Sequence, residues 1–123
     1  MNIEEFVISY LNTALSVTVP GNPPTVLAIP VYGDVPSPVP DQFVTVEMTG
    51  ASEENKIRYA TIAVQSWDVS RDAASNLNIM VITAMEAMIA KDEISSCSLD
   101  SSYNYTDLTR NKPRYQAVFS VVY

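Results

Sequence analysis

The stretch VQSWDVSRDAASNL, residues 64–77, decides the fold. Val64 to Trp67 closes a run in which apolar and polar side chains alternate, the period of a strand, whereas Ala74 and Leu77 open a pattern that repeats every three or four residues, the period of a helix. The change of period falls at Asp68-Val69-Ser70-Arg71-Asp72, a short polar elbow. Ser70 is placed to act as N-cap, its hydroxyl accepting from an amide two or three residues on, and Asp72 adds negative charge to the first turn, where the helix dipole favours it. A strand therefore runs directly into a helix at Ser70.

Beyond the elbow, Ala74, Leu77, Val81, Ala84, Met85 and Met88 form the apolar stripe of this second helix, which is predicted to stop near Lys91-Asp92-Glu93. Ile79, Met80, Ile82 and Ile89 widen the stripe past the ~100° arc that one core contact needs, so the helix is expected to touch more than its own sheet. Before the elbow, Ala60, Ile62 and Val64 point one way and Tyr59, Thr61, Ala63, Gln65 and Trp67 the other, giving a strand over Ile57 to Trp67. Its hairpin partner begins at Phe43 with Val44, Val46 and Met48 on one face, and TGASEENK reads as the polar turn between them.

Outward again, Ile3, Phe6, Val7, Tyr10, Leu11, Ala14 and Leu15 recur at helical spacing, with Glu4 and Glu5 in the first turn. Residues 17–42 hold seven of the eight prolines and two of the three glycines, so no continuous central strand is expected there. The segment reads as an extended, irregular proline-rich arm with a short strand near Val26 to Val31. After the second helix, Cys97 to Tyr105 and Tyr115 to Tyr123 alternate as two more strands, joined by TDLTRNKPR. The order α-β-β-α-β-β predicts a single α+β domain over residues 1–123, an antiparallel or mixed sheet of about four to five strands with two helices packed on it.

Seven Lys and Arg against fourteen Asp and Glu give a net charge of −7, which argues against a broad phosphate-binding face. The start MNIEEF lacks a basic, apolar signal pattern, and no run reaches the ~18 consecutive apolar residues of a membrane span, so a soluble product made in the cytosol is expected, with no membrane partner. There is no histidine, which removes the commonest general base and the commonest metal ligand. Three scattered glycines cannot build a P-loop or a dinucleotide fingerprint. With Cys97 alone, no internal disulfide and no paired-cysteine metal site forms. No catalytic residue, cofactor or metal is therefore assigned.

The groups that remain each have a plainer use. Glu53-Glu54, or Asp68 with Asp72, would be the acid and base of a carboxylate enzyme, but the first pair reads as a solvated hairpin tip and the second as turn and helix-start charge. Cys97 reads as a small strand residue rather than a nucleophile, and Met80, Met85 and Met88 as helix packing. Trp67 reads first as core edge and second as an interface anchor. Arg110, Lys112 and Arg114 beside Tyr115 make the one basic cluster, either a wet turn or a fork for phosphate or a partner's carboxylates. Candidate interface residues are thus Trp67, Asp68, Arg71, Ile79, Ile82, Arg110, Lys112 and Arg114.

VYGDVPSPVPDQFVTVEMTG (31–50), ATIAVQSWDVSRDAASNLNIMVITAMEAM (60–88) and RYQAVFSVVY (114–123) together resemble the small tail-terminator or tail-completion proteins of long-tailed bacteriophages and prophages. Trp67, Ser70, Arg71, Ala74, Leu77, Arg114 and Tyr115 fall on that family's W-x-x-S-R-x-x-A-x-x-L elbow and R-Y-x-x-x-x-x-V closing strand. The sequence departs from the family at Val39-Pro40, where Arg-Pro is frequent, and in the extra length at 18–28. The resemblance implies a structural, non-enzymatic virion protein at the head-proximal end of the tail, assembled in the host bacterial cytoplasm. It implies a homo-oligomeric ring, usually a hexamer, that caps the tail tube protein, stops polymerisation and offers a surface to the head-tail connector or completion protein, while DNA passes through without specific binding. The competing readings are a head-tail joining adaptor and a carboxylate-dependent enzyme such as a glycosidase, whose two acids would lie ~5 to 10 Å apart.

Overall fold

The computed structural model describes residues 1–123. It begins with helix α1 (Ile3–Ala14), where Asn2 caps the N-terminus by accepting from the Glu5 amide at 3.2 Å and Glu4 and Glu5 occupy the first turn. Ile3, Val7 and Leu11 are its buried stripe. Helix α2 (Arg71–Ala87) starts at the predicted elbow: the Ser70 side chain accepts from the Ala73 amide at 3.1 Å, satisfying a donor that the first turn leaves unpaired. One turn of 3-10 helix over Met88–Ala90 ends it.

Seven strands separate into two sheets. In the arm, β1 (Ser16–Val19) and β2 (Thr25–Ala28) pair antiparallel as a free-standing hairpin. The main sheet runs β3-β4-β5-β7-β6, built from β3 (Val31–Tyr32), β4 (Phe43–Glu54), β5 (Ile57–Trp67), β6 (Ser96–Asn104) and β7 (Arg114–Val122). Only the β3–β4 pair is parallel. The α+β class, the two helices and the mixed five-stranded sheet agree with the sequence reading. The arm holds three short strands where one was expected near Val26 to Val31; β2 overlaps that expectation, and prolines fill the turn between β1 and β2 and the bends around β3, leaving the paired positions free of them.

A second difference lies between β4 and β5. The expected eight-residue polar turn is strand as far as Glu54, and the reversal takes only Asn55 and Lys56, with φ of 52° and 64°. Two consecutive positive φ values are the I′ turn that matches the twist of a hairpin. Pairing Glu53 with Arg58 and Glu54 with Ile57 keeps the polar run extended.

Both helices cover one face of the main sheet. Val44, Val46, Ala60, Ile62, Val64, Ala117, Phe119 and Val121 meet Val7, Leu11, Leu77, Val81, Met85 and Met88 there in one continuous core. The β3 edge is closed by α1, because Asn12 uses its side-chain amide to accept from the Val31 N–H at 3.1 Å and donate to the Val31 carbonyl at 3.2 Å, imitating a neighbouring strand. The β6 edge is open, serine-rich and interrupted by a bulge at Leu99/Ser101, which blunts it as a template for further strands.

The I′ turn gives a test. Left-handed backbone costs an L-residue about 1–2 kcal/mol, partly offset by the ~0.5–1 kcal/mol of chain entropy that glycine loses on folding. Lys56→Gly is expected to raise stability by about 0.5 kcal/mol in chemical denaturation; a loss would mean that the turn is not formed as described.

Candidate functional site

The elbow residues are engaged inside the chain. Trp67, the pair of Phe43 across β4–β5, stacks on it at 5.2 Å with the rings 10° apart and is 1% exposed. The Arg114 guanidinium covers the outer side of this ring at 4.6 Å and also lies 4.1 Å from the Tyr105 ring, while its Nε donates to the Tyr105 carbonyl at 2.6 Å. Asp68 is buried; it accepts from the Gln42 amide at 2.9 Å and from the Val69 N–H at 2.7 Å. Trp67, read first as core edge and second as an interface anchor, and Asp68, read first as turn charge, are buried within the chain, where the loops 33–42 and 105–113 close over the end of the sheet.

The basic cluster is likewise occupied. Lys112 donates to the carbonyls of Asp41 at 2.9 Å and Asp68 at 3.3 Å, tying those two loops together. Arg110 pairs with Asp107 at 2.7 Å. The Arg110 amide and guanidinium, then the Thr109 amide and the charge of Arg114, hold the Asp107 carboxyl below its ordinary range. A cation fork free to grip phosphate is not what these residues form. Arg71 is exposed, as are its neighbours Val69, Ser70 and Asp72 in the elbow, and Ile79 is exposed while Ile82 packs partly against the core.

The carboxylate pairs do not converge. Glu53 and Glu54 are successive strand residues and so point to opposite faces, with Glu53 3.8 Å from Arg58. Asp68 is interior while Asp72 is exposed in the first turn of α2. Glu4, Asp34 and Glu47 line a polar hollow on the sheet face away from the helices, and Glu4 there accepts from the Met48 N–H at 2.9 Å. Beside it runs a hydrogen-bonded row that sequence reasoning missed: Trp67 Nε1 donates to Thr45, Thr45 to Gln65, Gln65 to Gln116, and Gln116 to the Tyr103 hydroxyl. These polar side chains occupy successive strands in register and neutralise one another across the sheet, so the row stiffens the uncovered face rather than offering reactive groups.

Cys97 is also quiet. Burial first, then the negative charges of Glu86 and Asp100, push its thiol up from 9.0 to about 11, which starves it of the nucleophilic thiolate at neutral pH.

Unsatisfied apolar surface lies elsewhere. In the β1–β2 hairpin every residue is exposed. Its register puts Val17 opposite Leu27 and Val19 opposite Thr25, so one face carries Val17, Val19 and Leu27, at 38%, 44% and 51% exposure. Between the helices, Tyr10, Ala14, Leu15, Met80, Ala84 and Ala87 line an open apolar groove, with Ile79 on its rim side of α2. The alternation of SVTV and TVLA around PGNPP carried the signal for the hairpin, but it was masked by the density of prolines. Arg71–Ala90 has the length and mean hydropathy, 1.3, of a membrane-crossing helix, yet Ala74, Leu77, Val81, Met85 and Met88 are spent on the sheet; the surplus is what the groove displays.

Two measurements check these assignments. Arg114→Lys keeps the charge but loses the flat guanidinium cover, and the emission of Trp67, the sole tryptophan, is expected to shift to the red; an unchanged spectrum would remove Arg114 from the seal. For Cys97, the folded-state pKa lies above the unfolded one, so its contribution to stability is complete below pH 9.0 and is lost as pH rises through about 11. Alkylation of the folded protein is expected to reach half its maximal rate near pH 11, and a midpoint near 9.0 would place the thiol in free solvent.

Comparison with known proteins returns no match, neither a protein-family model nor a curated protein, so the site stands on its own geometry.

Proposed function

We propose that this chain is a structural tail-terminator protein of a long-tailed bacteriophage, acting at the head-proximal end of the tail. Copies of it form a ring, in the hexameric form that the resemblance implies, which caps the tail tube, ends its polymerisation and offers a surface to the head connector. The observation that carries this reading is the β1–β2 hairpin, an element whose residues, apolar side chains included, are all exposed.

An isolated two-stranded hairpin is marginal in water, so one that displays valine and leucine gains its stability from a contact. Fully covering a Val or Leu side chain is worth ~1.5–3 kcal/mol, against ~0–1 kcal/mol for an exposed ion pair such as Arg58–Glu53. Association energy therefore resides in the uncharged surface. The acidic balance suits a passage through which DNA moves without adhering.

The deciding experiment is genetic. Removing the gene is expected to give overlong tail tubes; tails of normal length separated from heads would instead identify a joining adaptor, and intact infectious virions would defeat both. Arg71→Ala, at an exposed residue of the elbow, is expected to leave the monomer folded by circular dichroism and to weaken assembly. Unimpaired assembly with a lost fold would make Arg71 a folding residue.

A further inference from the structure

We infer that the β1–β2 hairpin of one copy seats its Val17, Val19 and Leu27 face in the α1–α2 groove of the neighbouring copy, joining subunits head to tail. The inference rests on the self-assembling ring proposed above and names the two surfaces that meet.

Charge selects the occupant. At a net charge of −7, two copies repel unless they meet where neither carries charge. No charged residue occurs between Glu5 and Asp34, the stretch that supplies the hairpin and the α1 wall of the groove, and none between Asp72 and Glu86, most of its α2 wall. A basic partner would find no carboxylate among the residues of either surface, and an acidic one only Lys91, whose ammonium lies 6.0 Å from the Tyr10 ring. What matches a neutral apolar groove on this molecule is its own neutral apolar hairpin.

Geometry keeps the contact between copies. Leu15 and Ile29, each 1% exposed, anchor the base of the hairpin in the core, and the Ile29 N–H donates to the Leu15 carbonyl at 3.1 Å. From this fixed base the row continues through Val17 and Leu27 to Val19, all exposed, while Leu15 also lines the groove. No residue of the hairpin lines the groove beside its base, so the groove is not filled by the hairpin of its own chain. Two different patches on each subunit, one donating and one receiving, make a heterologous contact, the kind that closes into rings.

Paired cysteines test it. In a Cys97→Ser background, Leu27→Cys and Met80→Cys are made on separate chains, mixed at millimolar concentration and oxidised; a Leu27–Met80 disulfide joining two chains is expected at about ten-fold the yield of a Val26→Cys control, whose side chain lies on the other face of the hairpin. With both cysteines on one chain, a covalent ladder ending at the ring size is expected. Val17→Asp with Leu27→Asp should leave the circular dichroism of the domain intact and weaken assembly about ten-fold or more. Equal yields from both faces, a disulfide only between two Leu27→Cys chains, or a chain that remains monomeric throughout would each overturn the inference. Rings that persist without the Leu27–Met80 link would overturn it while leaving the terminator reading in place, and that reading falls separately if tube length does not depend on the gene.

Discussion

The rest of the structure depends on one stacked pair, Phe43 on Trp67, at the end of the β4–β5 ladder. Because successive side chains on a strand alternate faces, a slip of one residue would turn Val44, Val46, Ile62 and Val64 from the helices to the opposite side. The aromatic pair holds the register where the strands begin and end, at the opposite end of the ladder from the I′ turn at Asn55–Lys56. Arg114, the partner of Trp67 on β7, extends the same row to the next strand, and its carbonyl accepts from the Tyr105 amide beside β6. One transverse row of side chains thus aligns four strands, and it leaves Asp68 to Ser70 where α2 must start.

Five strands and two helices cannot cover a sheet on both sides, and the chain solves the two faces differently. The helix side is apolar and dry. The other side is closed at one end by the Phe43–Trp67–Arg114 row with its loops, and beyond it by side chains that satisfy each other from Thr45 to Tyr103. That economy frees the outward side of α2 and the whole of the β1–β2 hairpin from any duty to the monomer's core. Burial is complete at Leu77, Val81 and Met85, yet Ile79, two residues from Leu77 and so on the opposite side of the helix, is 58% exposed.

The elbow, both helices and the apolar face of the sheet were legible in the residues because each rests on local rules: a cap, a period, a dipole. Ser70, Ala74, Leu77 and the Ala60, Ile62, Val64 row stand where periodicity puts them. The hairpin in the arm was not legible, since proline density outweighed a short alternation whose prolines in fact fall in the turn. Nor were the partners of Asp68 and Lys112, because what meets them arrives from segments remote in sequence: Gln42 lies 26 residues from Asp68, and Lys112 reaches Asp41 across 71. Short polar turns announce their charges in sequence but not whom those charges meet.

Acidity and greasiness act together in this molecule. Uniformly apolar walls would let copies adhere in any orientation, and uniformly acidic ones would hold them apart, with repulsion felt over a Debye length of ~8 Å at physiological salt. Here acids line the hollow at Glu4, Asp34 and Glu47 and stand at Glu53, Glu54, Asp100 and the ends of α2, whereas the hairpin and the inter-helix groove carry none. Misaligned encounters bring carboxylates together and separate, whereas an encounter that sets neutral surface on neutral surface meets little repulsion and gains the apolar contact. The direction of assembly is therefore written less by attraction, which is unspecific, than by where the charge has been left out.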